Sequence, residues 1–340
     1  MPARRPDLLH DVARRLRAGA ERVLARADLA VVHRSNYERW LDEAPVYEPP
    51  TDPGPSDPEL RPDNPRLLEL RERYRSHPAA ASSQWSDTFV EREIDVASFR
   101  GDNAYVWQRR LNMQPVNYAL TTFYLQHHSR LPLFETLTED TRFGVTTHDV
   151  DGTLVSRDLL DSITELSFLE EELGLSQLER PTILDIGAGY GRLAHRATSA
   201  FDLTYLCTDG VALSSFLCEH YLRSRGAVGA EVLPLDEVEG GLRGRRIDLA
   251  VNVHSFSECP HSVVGWWLDL LVANDVEHLM IVPNTEDLLT TEPTGARRDF
   301  SELIRAHGFT LVERRPKYAH SDAVQQHGIY PAQHYLFRRR

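Results

Sequence analysis

The chain has 340 residues, with 38 Lys and Arg against 51 Asp and Glu, so its formal net charge is −13. That surplus of negative charge argues against a nucleic-acid partner, because neutralising phosphates takes basic patches. Hydrophobic residues make up 41 % and charged residues 26 %, which is ordinary composition for a globular chain able to bury a core. Lys317 is the only lysine, so no G-x-x-x-x-G-K-S/T phosphate loop exists and a Schiff-base lysine would have to be Lys317. Cys207, Cys218 and Cys259 form no C-x-x-C pair and read as reduced, buried thiols. No stretch approaches the ~20 apolar residues that span a bilayer, and no apolar block follows the N-terminal arginines. A cytoplasmic protein without a membrane partner is the expectation.

Residues 6–32 predict an amphipathic helix, with Leu8, Leu9, Val12, Leu16, Val23 and Leu24 at helical spacing among five arginines. Packing against its own protein or a second subunit is favoured over lying on a membrane, and a homodimer is expected. Eight prolines between Ala44 and Arg66 deny the backbone the donors of a helix or central strand, making residues 45–65 a surface crossing. Helix is expected again at 67–76, and in pieces around Pro115 between Tyr105 and Gln126. Asp151-Gly152 between alternating residues predicts a hairpin at 148–158, and 159–175 predicts a helix ending at Gly174.

From Pro181 onward short apolar runs alternate with helical stretches. Strands are predicted at 182–187, 203–209, 230–235, 247–253 and 278–284, the pattern of a parallel sheet covered on both faces. Two further strands, 309–318 and 333–339, follow each other with no convincing helix between them. The fold class expected is α/β: a Rossmann-like sheet of mainly parallel strands with a terminal antiparallel hairpin. Residues 1–150 form a mostly helical cover, and residues 151–340 form the sheet domain.

The most informative string is ILDIGAGYGRL, 183–193. A strand runs through Asp185 into Gly187, Ala188, Gly189, Tyr190 and Gly191 before a helix opens. The loop falls at the carboxyl end of the first strand, where open α/β sheets bind ligands. A dinucleotide fingerprint would place its third glycine where Arg192 stands. The acid two residues before the first glycine repels a pyrophosphate and suits the ammonium of an amino-acid cofactor. Asp209, followed by Gly210, ends the second strand, placed to accept hydrogen bonds from two ribose hydroxyls. Asp236, beyond the third strand, is a candidate partner for an adenine amino group.

The strand order, together with GDNAYVWQRR (101–110), SRDLLDSITELSFL (156–169), ILDIGAGYGRLAHR (183–196), IDLAVNVHSFSECP (247–260), WWLDLL (266–271) and IVPN (281–284), resembles the S-adenosylmethionine-dependent class I methyltransferases. Within them it resembles the sugar O-methyltransferase family of actinobacterial natural-product pathways, from about Phe99 to Phe337. The resemblance implies S-adenosylmethionine as cofactor and methyl transfer to a hydroxyl of a (deoxy)sugar on a small-molecule acceptor. A non-sugar hydroxyl such as a phenol is the alternative acceptor, and a non-catalytic scaffold ranks last.

Methyl transfer to an alcohol needs a positioned acceptor and a group that removes its proton. Asn252, His254, Ser255, Ser257 and Glu258 follow the fourth strand, where this fold puts acceptor-site residues. His254 is the first candidate base, with Glu258 orienting or polarising its ring; the alternative is that His254 bonds nearby backbone and shapes the pocket. Arg157 is a candidate for holding the cofactor carboxylate, with Asp158 or Asp161 reaching the acceptor; together with Glu165 these acids otherwise make a solvated helix face. His148, Asp149 and Asp151 flank a turn and read as solvated, and no metal is expected. Trp266 or Trp267 is a candidate stacking surface for a sugar. His320, His327 and His334 read as surface residues, with His327 or His334 as candidates for the acceptor mouth.

Overall fold

The computed structural model describes Ser35 and residues 57–101, 104–105 and 113–339. The helix expected over 6–32, the dimer contact expected of it, and most of the proline-rich crossing lie outside the described residues, as does Trp107. The helices are α1 (Pro65–Tyr74), α2 (Asp87–Glu93), α3 (Pro115–His128), α4 (Leu133–Thr136), α5 (Arg157–Leu173), α6 (Arg192–Ala200), α7 (Ala212–Arg225), α8 (Val238–Leu242), α9 (His261–Ala273), α10 (Ser301–Ala306) and α11 (Asp322–His327). The strands are β1 (His148–Val150), β2 (Thr153–Val155), β3 (Thr182–Ile186), β4 (Thr204–Thr208), β5 (Ala230–Val232), β6 (Leu249–Val253), β7 (His278–Val282), β8 (Leu289–Thr291), β9 (Arg297–Asp299), β10 (Phe309–Pro316) and β11 (Gln333–Arg339).

Seven strands form the central sheet in the order β10-β11-β7-β6-β3-β4-β5. β5, β4, β3, β6 and β7 pair in parallel, while β11 runs antiparallel to both β7 and β10. The five parallel strands fall where the apolar runs predict them. Ile183, Leu184, Leu206, Ala250, Val251, Met280 and Ile281 are fully buried, as continuous apolar strands between two helical layers should be.

α5 begins at Arg157, two residues before the expected start and inside the stretch read as hairpin. Ser156 accepts the Leu159 amide at 3.1 Å as the N-cap, and Gly174 ends the helix in the left-handed region at φ 61°. Pro115 stands at the first turn of α3, where its missing N–H costs nothing. The Asp151-Gly152 turn joins β1 and β2 as expected. The end of the chain departs from expectation, because α11 lies between β10 and β11. Ser321 caps it through the Val324 amide at 3.2 Å, and six residues are too few to show a helical period. A β8–β9 hairpin also follows β7; its signal was the Pro293-Thr294-Gly295 turn between two short runs.

The described part of residues 57–150 shares one apolar core with the sheet domain: Leu67, Leu70 and Phe99 are fully buried in it beside Leu184 and Leu217. α1 lies against α7, with the Tyr74 hydroxyl bonded to Ser215 at 2.9 Å and to the Leu235 amide at 2.8 Å. All three cysteines are free and buried. Among the described residues no helix is long and apolar enough to cross a membrane.

Candidate active site

A cleft open to solvent, about 1110 Å³ including the space at its mouth, lies at the carboxyl ends of β3, β4, β6 and β7. Its floor is the glycine loop, with Asp185, Gly187, Ala188, Gly189 and Tyr190; its walls include Asp209, Gly210, Arg157, His254, Ser255, Glu258, Asn284 and Tyr330. Ala79–Ser82, Trp85, Ala104 and Tyr105, from the part of the chain preceding the sheet, close one side.

The loop's shape depends on glycine. Gly187 has φ +77° and Gly189 φ +58°, conformations that side chains rarely adopt. A Cβ on Gly187 would run into the Ser255 side chain, and one on Gly189 would stand 3.4 Å from the Tyr105 ring. The loop is tethered to the next strand: Gly187 and Ala188 donate to the Thr208 carbonyl, and Gly189 donates to the Asp209 carboxylate at 2.9 Å. The other Asp209 oxygen accepts the Val211 amide at 2.8 Å.

Burial pushes Asp185 up to about 7, against the hydrogen bond it accepts from the Tyr205 hydroxyl at 3.0 Å. Burial likewise pushes Asp209 up to about 7, opposed by its two amide hydrogen bonds. Glu258 is raised by burial too, against donors Trp85 Nε1 at 2.6 Å and Asn284 Nδ2 at 2.9 Å. None of these three acids forms an ion pair among the described residues.

His254 lies at the end of β6 with φ +69°, a strained conformation for a side-chain-bearing residue. Its amide bonds the Val282 carbonyl at 2.7 Å, its ring meets Tyr330 edge-on at 5.3 Å, and its buried Nδ1 has no partner among the described residues. Burial, then the nearby charge of Arg157, holds its imidazolium down to about 3, well below the ordinary value near 6.5. The ring is neutral at working pH.

Several expected site residues stand elsewhere. Glu258 does not orient His254: its two oxygens go to Trp85 and Asn284. Asp158 and Asp161 do not line the cleft. Asp158 is buried with Arg100 at 2.8 Å and the Tyr190 hydroxyl at 2.7 Å, while Asp161 pairs with Lys317 and with Arg157 Nε at 3.1 Å. Glu165, likewise buried, holds Arg192 at 2.9 Å. These acids are therefore no solvated face. Asn252 uses both ends of its amide on backbone, donating to Ile186 at 2.8 Å and accepting from Phe256 at 2.9 Å, so it fastens β3 to the turn after β6. Asp236 lies outside the cleft in an ion pair with Arg73 at 2.8 Å. Arg157 does line the cleft, its guanidinium 4.6 Å from the Tyr330 ring centre.

Trp267 lines the cleft, whereas Trp266 turns onto His77 at 5.0 Å. His334 is buried against Phe168 rather than exposed, and neither it nor His327 lines the cleft. His148 is mostly buried against Tyr118 at 4.1 Å. Asp57, Glu59 and His220 bring ligand atoms within 4.8 Å of one another, but none lines the cleft and Glu59 is already paired with Arg223. Sequence reasoning missed Trp85, Asn284 and Tyr330. Asn284 had a signal, as a polar residue at the carboxyl end of a parallel strand; Trp85 and Tyr330 had none.

A parallel sheet ending in an inserted antiparallel strand, with a glycine loop after its first parallel strand and an acid ending the second, defines a class I, Rossmann-like methyltransferase fold. No family model and no curated protein matches the chain. Solved structures similar to it include the magnesium protoporphyrin IX methyltransferase of Synechocystis PCC 6803 with bound S-adenosylmethionine, at 11 % identity and TM-score 0.39, over 54 % of this chain and 83 % of that one. The mitomycin 7-O-methyltransferase MmcR matches at 20 % identity and TM-score 0.35, over 53 % and 57 % of the two chains. An S-adenosylmethionine-dependent methyltransferase of Leishmania major matches at 13 % identity and TM-score 0.40, over 52 % and 71 %. At these scores the likenesses add nothing to the fold assignment, which rests on strand order and direction.

Proposed function

We propose that this protein is an S-adenosylmethionine-dependent O-methyltransferase that methylates a hydroxyl of a small-molecule acceptor, a (deoxy)sugar of a glycosylated natural product. One observation carries the cofactor reading. Asp185 and Asp209 are buried at the ends of adjacent strands, facing a glycine loop, and neither has a cationic partner among the described residues. Such a cradle suits a cationic ligand with hydroxyls and disfavours a phosphate.

The residues fit the group. Positive φ at Gly187 and Gly189 keeps the floor free of side chains. Each Asp209 oxygen accepts one amide, and with a further hydrogen bond from the Ser214 side chain the carboxylate keeps acceptor capacity for a ribose hydroxyl. Asp185 in its ionised form suits the ammonium, and the Arg157 guanidinium suits the carboxylate of the same amino acid. S-adenosylmethionine bound there supplies a sulfonium methyl group already activated for displacement.

The chain's own task is then to position the acceptor and receive its proton. His254 is neutral and lines the cleft, so it is competent to accept a hydrogen bond from the attacking hydroxyl. Charging it beside Arg157 is unfavourable, which delays full proton transfer until the methyl group has moved. The acceptor class follows from the family resemblance, and the aromatic and polar side chains that line the cleft support it.

Calorimetric titration tests the reading. S-adenosylmethionine should bind the wild-type protein one to one. Gly189→Val, with an unchanged circular dichroism spectrum, should lose that binding. Unchanged affinity in the variant would remove the basis of the assignment.

A further inference from the structure

The acceptor side of the cleft carries a chain of polar contacts that the methyl-transfer step does not need. The Tyr330 hydroxyl donates to the Asn284 carbonyl at 2.9 Å, and Asn284 Nδ2 donates to one Glu258 oxygen at 2.9 Å. Trp85 Nε1 donates to the other oxygen at 2.6 Å, and the Trp85 ring lies 5.1 Å from that of Tyr105. Four separate parts of the chain meet here: the segment before β11, the end of β7, the turn after β6, and the stretch before α2.

Burying a carboxylate costs free energy unless its lone pairs are filled. Glu258 is buried, and among the described residues it holds only two neutral N–H donors, one on each oxygen. Each oxygen therefore keeps acceptor capacity, and the residue lines the cleft. A carboxylate in that state asks for hydroxyl donors and repels an anion. A carboxylate can accept from two hydroxyls on neighbouring carbons at once, one on each oxygen, so it is matched to a pair. Trp85, Tyr105 and Tyr330 in the same lining offer aromatic surface to the C–H faces of a saturated ring. A phenol brings a single hydroxyl and would leave half of this acceptor set empty.

We infer that Glu258, steadied by Asn284 and Trp85, is a specificity-determining residue that binds two adjacent hydroxyls of the acceptor, so that the ligand chemistry of this subsite is a vicinal diol on a saturated ring. The inference rests on the methyltransferase reading and adds the substrate feature that the cleft selects. His254 meets the same chain of contacts through Tyr330. The hydroxyl that reacts at His254 is thus distinct from the pair held at Glu258.

The test uses full-length protein loaded with S-adenosylhomocysteine, with saturation-transfer NMR as readout. The probes are methyl α-L-rhamnopyranoside, which has adjacent hydroxyls, and its 3-deoxy analogue, which has none. The rhamnoside should bind, and the analogue should bind about ten-fold more weakly, the worth of one or two lost hydrogen bonds. Glu258→Gln preserves shape and should bring the rhamnoside down to the analogue's level; Asn284→Ala should weaken it in the same direction. S-adenosylhomocysteine affinity should be unchanged in both variants. Equal binding of the two glycosides, no binding of either, or an unaffected Glu258→Gln variant would overturn the inference. Loss of S-adenosylhomocysteine in Glu258→Gln would assign the residue to the cofactor and overturn it as well. Failure of the wild-type protein to bind S-adenosylhomocysteine would instead remove the methyltransferase reading on which it stands.

Discussion

Two groups of buried acids lie on either side of the glycine loop, and they answer the cost of burial in different ways. On the α5 side, Asp158 sits among Arg100, Arg196, Ser156 and the Tyr190 hydroxyl, and Glu139 pairs with the same two arginines. Although burial would raise it, Asp158 is held well below the usual carboxylate range by Arg100 and Arg196, while Glu139 beside it is raised by burial and by the Asp158 charge. On the cleft side, Asp185, Asp209 and Glu258 are also buried but among the described residues hold only neutral donors, and all three are raised. The first group fixes the fold and the loop that Tyr190 belongs to. The second is left unneutralised, and unneutralised buried acids facing open space mark the place where a ligand completes the charge balance.

The largest expected effect comes from breaking the paired group. Asp158→Ala leaves Arg100 and Arg196 with Glu139 as their one shared carboxylate and removes the acceptor of the Tyr190 hydroxyl, and should lower unfolding free energy by about 3–5 kcal/mol in urea denaturation. It should also weaken S-adenosylmethionine binding, because Tyr190 loses its anchor. Wild-type stability in that variant would show that the two groups do not differ as argued.

His254→Ala makes the opposite case. The imidazole's Nδ1 has no partner to lose, so stability should hold, while turnover should fall by about 10²–10⁴ if the ring accepts the proton. Retained turnover would take the base role away from His254. An unperturbed histidine would make the wild-type rate fall on acidification near pH 6.5. With His254 held down to about 3, turnover at saturating cofactor and acceptor should instead show no such fall through pH 6.5.

Asp209→Ala should weaken S-adenosylmethionine binding by about 1–3 kcal/mol, the scale of charge-assisted hydrogen bonds lost from a buried site. The smallest effect is that of pH on the ligand-free protein. Asp185 and Asp209 have folded values near 7 against an ordinary 3.8, so the folded state keeps protons that the unfolded chain has released. Their contribution to stability is full below pH 3.8 and is lost as pH rises through about 7. Asp185→Asn should therefore flatten the decline in stability between pH 5 and 8. Cofactor affinity should run the other way in the wild-type protein, falling below pH 7 as these acids take up protons. A pH-independent affinity would place the ionisation outside the cofactor cradle.

Much of this was legible in the chain itself. The five parallel strands, the loop from Gly187 to Gly191, Asp185 and Asp209 at strand ends, and the end of α5 at Gly174 are local matters. Each is set by apolar runs or by residues tolerant of positive φ. Short elements were less legible: α11 and the β8–β9 hairpin carry too few residues to show a period. The roles of the acids were the least legible. Asp158 and Asp161 read as acids reaching the acceptor, or else a solvated helix face, because nothing nearby in sequence says that Arg100 and Lys317 will cover them.

What the sequence determined by itself, then, is the order of strands and helices and the position of a glycine loop between two acids, since these follow from local patterning. Which acid is neutralised and which is left facing the cleft was decided by tertiary structure. Arg73 takes Asp236 from 163 positions away, Trp85 reaches Glu258 across 173, and Lys317 reaches Asp161 across 156. The energy of a buried charge is set by the donors within a few ångströms of it, and only the folded chain brings those donors there.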